Sequence, residues 1–139
     1  MANALTQAQD LEQIGDALSS AADALNEGIK DAVSKGLCDQ NKAYAVLHDE
    51  QVLRSRANAI YFDAAQRVVA GLAIEQNALM QVVGDATDTL KKVVEFQSFL
   101  GILADLISLA SAICAGQPTV ILAAASALRN DIDKAPQVD

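Results

Sequence analysis

Apolar residues recur at steps of three and four along most of the chain, which is the pattern of amphipathic α-helices. The clearest run follows residues 6–9, in which the Thr6 hydroxyl and the Gln9 amide are spaced as in a capping box. Gly36 is suited to the left-handed conformation that commonly ends a helix. The pattern therefore predicts a first helix over residues 6–35.

One face of this first helix carries apolar residues at heptad spacing, as in coiled coils. Such a seam buries its side chains against another helix. We predict that it serves as an interaction surface for a second copy of the chain or for a partner helix. The seam residues are Leu11, Ile14, Leu18, Leu25 and Ile29.

The helical period resumes after Asp39, a suitable N-cap, and continues over residues 40–83. Gly84 is a candidate for the residue that ends this helix, because residues that could cap a following helix come directly after it. The period also persists beyond Gly84, so one continuous helix is an alternative. With a boundary at Gly84, the third helix covers residues 86–115.

A fourth helix is predicted over residues 118–134, since Gly116 ends the preceding run and Pro118 suits the first helical position. Residues 135–139 are predicted to be a frayed tail.

The fold class predicted from these elements is all-α, with residues 1–139 forming a single helical domain. Short connections favour an elongated antiparallel bundle of about four helices, of which the second is about 65 Å long. In that topology the first loop and the end of the third helix meet, so Cys38 and Cys114 should lie at the same end.

The third predicted helix is the most apolar, and residues 99–115 carry one charge, Asp105. A helix without a polar face is buried in a protein core or in lipid. We favour a central core helix, because a spanning helix needs about 20 apolar residues and a mid-span carboxylate is costly in lipid.

The alternative is a hairpin, residues 96–128, that is released from the bundle into a membrane. The chain would then be a component of a pore-forming or toxin-like assembly. The membrane-active residues would be Phe99, Leu100, Ile102, Leu103, Leu106, Ile107, Leu109 and Ile113.

Composition narrows the classes of partner. The formal net charge is −8 and the ten Lys and Arg residues are scattered, which argues against binding to nucleic acid. Two cysteines are too few for a disulfide-rich secreted scaffold. The N-terminus has neither a basic nor an apolar signal region, so we expect a cytoplasmic protein, with leaderless export or membrane association as alternatives.

Residues that could carry chemistry are few. His48 is the only histidine, and Ala45 stands three positions before it, which excludes paired Glu-x-x-His metal ligation. Cys38 is about 15 Å from His48 along a helix, too far for a catalytic pair. We therefore predict no catalytic residue, no cofactor and no metal.

Two carboxylates fall where burial is expected. Glu50 interrupts the apolar stripe of the second helix and has Arg54 and Arg56 nearby, whereas Asp105 has no local partner. A buried, paired carboxylate is more often structural than catalytic.

The predicted function is that of a non-enzymatic helical-bundle protein, which forms homo-oligomers or binds helices of a partner protein. The membrane-active protein is the alternative. An enzyme whose site is formed inside the bundle, without a motif in the sequence, is the remote alternative.

Overall fold

The computed structural model describes residues 3–92 and 95–136, and in these ranges the chain forms five α-helices and no β-strand. The all-α prediction is confirmed, but there are five helices where about four were expected. They are α1 (Ala8–Ser34), α2 (Gln40–Phe62), α3 (Gln76–Leu90), α4 (Phe96–Ala115) and α5 (Pro118–Lys134), with one 3₁₀ turn at Ala64–Gln66 between α2 and α3. All five contribute to one cluster of buried apolar residues.

The ends of α1 lie within two residues of the prediction. The predicted capping box is wrong, because the helix is capped one residue later, where the Gln7 N–H donates to Asp10 Oδ2 at 3.3 Å. Gly36 adopts the expected left-handed conformation with φ +73°. The Leu37 N–H then donates to Ala32 O at 2.8 Å, which satisfies a carbonyl of the last turn.

Helix α2 begins as predicted, since the Asp39 carboxylate accepts a hydrogen bond from the Lys42 N–H at 2.8 Å. The predicted extent, 40–83, is wrong because α2 ends at Phe62. Its 23 residues span about 35 Å, little more than half of the predicted length.

The chain after α2 leaves the helical path because it packs against the N-terminal segment. The Val69 N–H donates to Leu5 O and the Ala4 N–H donates to Ile74 O, both at 2.7 Å. Gly71 has φ +78°, a conformation that a helix does not contain. Leu5 and Val69 are buried in the core, so burial adds to these hydrogen bonds in holding the segment.

Arg67 contacts the C-terminal ends of both α2 and α4. Its guanidinium donates to Ala59 O of α2 at 3.3 Å and to Cys114 O of α4 at 3.0 Å. A third interaction joins it to Asp63 Oδ2 at 3.4 Å. Ala59 O also accepts from the Asp63 N–H at 3.0 Å, whereas Cys114 O lies in the last turn of α4, where carbonyls lack partners within the helix. A cation is favourable at both helix C-termini.

The predicted boundary at Gly84 is wrong, because α3 runs through this residue and its φ is not positive. The predicted third helix over 86–115 is also wrong. The chain turns at Lys91 and Lys92, and α4 begins at Phe96. Residues 93–94, inside that predicted helix, lie outside the described residues, as do residues 137–139 of the predicted frayed tail.

Helices α1 and α2 run in opposite directions and approach closely at Gly15. A Cβ atom at this glycine would lie 3.1 Å from Ala57 O and from Tyr61 Cβ. Further along α1, Asp23 pairs with Arg54 at 2.7 Å. The small residue at the crossing allows the backbones to meet.

Helices α2 and α4 run in the same direction. Near their N-termini, Lys42 Nζ lies 5.9 Å from the centre of the Phe96 ring, and near their C-termini Cys114 Sγ lies 4.0 Å from Arg56 O. Cys38, just before α2, is therefore at the opposite end from Cys114. The prediction that the cysteines share one end is wrong, because α3 adds a reversal of the chain.

Candidate functional site

Helix α4 has one buried and one exposed face. The buried face packs against α2 and α5 within the common core. The exposed face follows the helical period over most of the length of α4 and carries no charged residue. It consists of the exposed Leu100, Ala104, Ser108 and Ala115, with the half-buried Ile107 and Ser111. We call this set the α4 outer face.

The exposed side of α5 is also uncharged over residues 118–128, whereas residues 129–134 include Arg129, Asp131, Asp133 and Lys134. Val120, Ala123 and Ala127 are exposed on successive turns of α5. The two helices form a hairpin whose connection contains Gly116, with φ +71°. The expectation of an enclosed central helix is therefore met on one side of α4 only.

Six of the eight residues expected to be membrane-active lie in the chain's own core, and the other two, Leu100 and Ile107, belong to the α4 outer face. Leu100 is 37% exposed. The core members are Phe99, Ile102, Leu103, Leu106, Leu109 and Ile113.

The predicted interaction seam is also internal. All five of its residues are buried in the common core, and α1 packs on α2 and on α3. In this folded state the seam is covered by the chain itself. The seam residues are Leu11, Ile14, Leu18, Leu25 and Ile29.

Asp105 is the one charged residue of α4, and it lies beside Asp131 of α5. Its Oδ2 atom is buried and has no hydrogen-bond partner among the described residues. The nearest arginine along α5, Arg129, pairs with Asp85 of α3 at 2.7 Å and with Asp133 at 3.8 Å. Burial and the neighbouring Asp131 carboxylate raise the pKa of Asp105 from 3.8 to about 7.

The stability of the fold should therefore depend on the protonation of Asp105. Because its pKa is higher in the folded chain, the folded state binds more protons between about pH 4 and about pH 7, and stability falls as the pH rises through this window. Water reaches part of the side chain and screens the repulsion, so we expect a loss of about 1 kcal/mol.

Urea unfolding at mildly acidic and mildly alkaline pH measures this effect. Asp105→Asn should remove most of the loss, whereas Asp16→Asn, at an exposed position of α1, should keep it. Equal pH dependence in both variants would show that Asp105 is not responsible.

A second charged cluster joins α1 and α2. Glu50 is only 3% exposed, and its Oε1 accepts hydrogen bonds from Arg54 Nη2 at 2.6 Å and from Nε at 3.1 Å. Arg54 also donates to Asp23 Oδ1 at 2.7 Å, and Glu50 is the main cause that raises the pKa of Arg54. Of the two arginines expected near Glu50, Arg54 is the partner in this network.

The remaining residues that could carry chemistry are not brought together. His48 is exposed on α2, and Cys38 is buried at the start of that helix. Among residues 3–92 and 95–136, no three His, Cys, Asp or Glu side chains are arranged to hold a metal ion. Sequence analysis named Leu100 and Ile107 of the α4 outer face as membrane-active residues but did not predict the face as a whole, for which the small residues at steps of three and four were the available signal.

Comparisons of the chain with models of protein families, with curated proteins and with solved structures found no match.

Proposed function

We propose that this chain is a non-enzymatic helical interaction protein that forms a homodimer through the α4 outer face. The observation that carries the proposal is an uncharged, exposed stripe along a helix of 20 residues. Solvent-facing helix surfaces usually carry charged and polar side chains, whereas continuous apolar surfaces mark places of association.

The side chains of the α4 outer face suit contact with another helix. Ala104 and Ser108 are small and lie one turn apart, so a second helix can approach to the interaxial distance of about 8–10 Å that packed helices adopt. Leu100 and Ile107 supply larger apolar groups that gain from burial.

The net charge favours a homodimer in which the α4 outer faces of the two copies contact each other. Two copies of a chain with net charge −8 repel each other, and the repulsion is least where no carboxylate enters the contact. A two-fold axis that pairs one α4 outer face with the other meets this condition, since an isologous contact uses the same surface twice.

The available area indicates a weak dimer. The α4 outer face offers a strip about 30 Å long and about 10 Å wide, and the uncharged residues 118–128 of α5 add a strip about 15 Å long and equally wide, or about 450 Å² per copy in all. This is below the roughly 800 Å² per partner of standard interfaces, so we expect dissociation in the micromolar range.

Sedimentation of two arginine variants tests the location of the contact. Ala104→Arg places a charge in the centre of the α4 outer face and should weaken the dimer by at least about tenfold. Ala45→Arg is the matched control, because Ala45 is an exposed alanine of α2. A dimer equally tight in both variants would contradict the proposed surface.

A second candidate function is insertion of the α4–α5 hairpin into a membrane. Within the described ranges, one helix, α4, is long enough and apolar enough to cross a membrane, judged by length and composition alone. In the folded chain, 44% of its most apolar window is buried. Insertion would require release of the six core residues from the bundle. Flotation with anionic and neutral liposomes, at neutral and mildly acidic pH, would support insertion if the protein floats and contradict it if the protein stays in solution.

A further inference from the structure

A cavity of about 380 Å³ opens where α1 and α3 end and α4 begins. Pockets that bind small ligands have volumes of about 300–1,000 Å³, so this cavity has room for a small molecule. Leu37 lines the cavity and is 65% exposed, so a bound molecule would remove apolar surface from water there. The rest of the apolar lining includes Ala24, Ala32, Leu90, Phe96 and Phe99.

Two aromatic rings form one wall of the cavity. The rings of Phe96 and Phe99 stack with centroids 6.3 Å apart and an interplanar angle of 11°. Phe99 is buried against α1 at Gly28, where an added Cβ atom would lie 3.0 Å from the ring. A wall formed in advance lowers the cost of ordering side chains when a ligand binds. Since aromatic rings attract one another at centroid distances of about 4.5–7 Å, the ring of a ligand can extend this stack.

The charged groups around the cavity offset one another. Lys35 Nζ pairs with Asp31 at 3.0 Å, and Lys42 Nζ lies 5.9 Å from the centre of the Phe96 ring. Helix ends of both signs border the cavity, because α1 and α3 end there and α4 begins there. Together with these two lysines, the described lining contributes three carboxylates and three ammonium groups, since it includes Glu27, Asp31, Glu95 and Lys91.

The carboxylates of the lining already have partners or water. Asp31 has its lysine, Glu95 accepts a hydrogen bond from Ser98 Oγ at 3.1 Å, and Glu27 is exposed. An ion that moves from water onto the apolar lining loses hydration, which is costly unless a counter-ion replaces the water. A neutral ligand avoids this cost, so the surroundings favour an uncharged molecule.

We propose that this cavity binds a small neutral molecule that contains an aromatic ring. The ring of the ligand extends the stack of Phe96 and Phe99 and covers Leu37. Burial of apolar surface and ring stacking provide the affinity. The site is independent of the proposed dimer, because the cavity lining does not include the α4 outer face.

Calorimetric titration of the full chain with three probes that share one ring system tests the class of ligand. The probes are naphthalenemethanol, which is neutral, naphthylmethylamine, which is a cation at neutral pH, and naphthoate, which is an anion. We expect the alcohol to bind at least about tenfold more tightly than either ion. Equal binding of the three, tighter binding of an ion, or binding of none would overturn the proposal.

Two variants place the site in the cavity. Ala32→Phe fills the cavity from α1 and should abolish binding of the alcohol. Phe96→Ala removes one ring of the wall and should weaken binding at least about tenfold. Both positions are half-buried, so both variants should stay folded, which circular dichroism checks.

Phe62→Ala is the matched control for the loss of a ring. Phe62 is 78% exposed at the C-terminal end of α2, whereas the cavity lies near the N-terminal end of that helix. This variant should bind the alcohol as the unmodified chain does. If Phe62→Ala and Phe96→Ala weakened binding equally, exposed aromatic rings in general would hold the probe, and the proposal would be wrong. Unchanged binding in Ala32→Phe would also overturn it.

Discussion

Replacing Leu106 by lysine is expected to unfold the chain. Leu106 is fully buried on the inner face of α4, where an ammonium group would have neither water nor an anionic partner within the common core. The loss of apolar burial and the cost of a buried charge together amount to at least about 5 kcal/mol. Small domains are stable by about 5–15 kcal/mol, so most or all of the folded population should disappear in circular dichroism and urea titrations.

Leu100→Lys is the matched control on the same helix. Leu100 is 37% exposed on the α4 outer face, so a lysine there can reach water. We expect a change in the free energy of unfolding of less than about 1 kcal/mol, together with a weaker dimer. If Leu106→Lys remained folded and lost only an association with membranes, α4 would act as a membrane element, as in the alternative function.

Replacing Arg54 by alanine is expected to cost about 3 kcal/mol of stability at neutral pH. The Glu50 carboxylate, with its 4% exposed side chain, would lose the guanidinium that binds it at 2.6 Å. Removing one partner of a buried ion pair leaves an uncompensated charge, which costs about 3–5 kcal/mol. We take the lower end because the Arg54 side chain is itself 38% exposed.

Two further variants separate the contributions within this cluster. Asp23→Ala removes the exposed partner of Arg54 and should cost less than about 1 kcal/mol. Glu50→Leu/Arg54→Leu removes both charges of the buried pair and should come close to the unmodified chain. Urea unfolding of these variants tests the assignment, and a cost for Arg54→Ala no larger than that for Asp23→Ala would contradict it.

The parts of the fold that local residues determine were predictable. Gly36 and Gly116 both adopt the left-handed conformation expected at a helix stop, and Pro118 begins α5 as expected. Asp39 caps α2 through its own side chain. In each case one residue and its immediate neighbours decide the conformation, so spacing along the chain is sufficient evidence.

The breaks around α3 were not predictable from periodicity. The apolar period continues past Phe62, but hydrogen bonds from Val69 to Leu5 and from Ala4 to Ile74 favour a non-helical path. These partners are more than 60 residues apart in the chain. Gly84 failed as a boundary for the opposite reason, since a glycine inside a helix costs only about 1 kcal/mol, which the packing of α3 offsets.

Some surfaces and charges of the candidate site could likewise be predicted from the sequence, and others could not. The pairing of Glu50 with Arg54 could be predicted because the two residues are one helical turn apart. The position of Asp131 beside Asp105 depends on the register of the α4–α5 hairpin, which the sequence pattern does not determine. The α1 seam faces inward because α2 and α3 cover it, whereas the α4 outer face remains exposed.

Sedimentation equilibrium of the unmodified chain tests the central claim most directly. If the α4 outer face pairs two copies, the average mass should rise from the 14.6 kDa of one chain towards twice that value as the protein reaches high micromolar concentration. A mass of 14.6 kDa throughout this range would contradict the proposed homodimer.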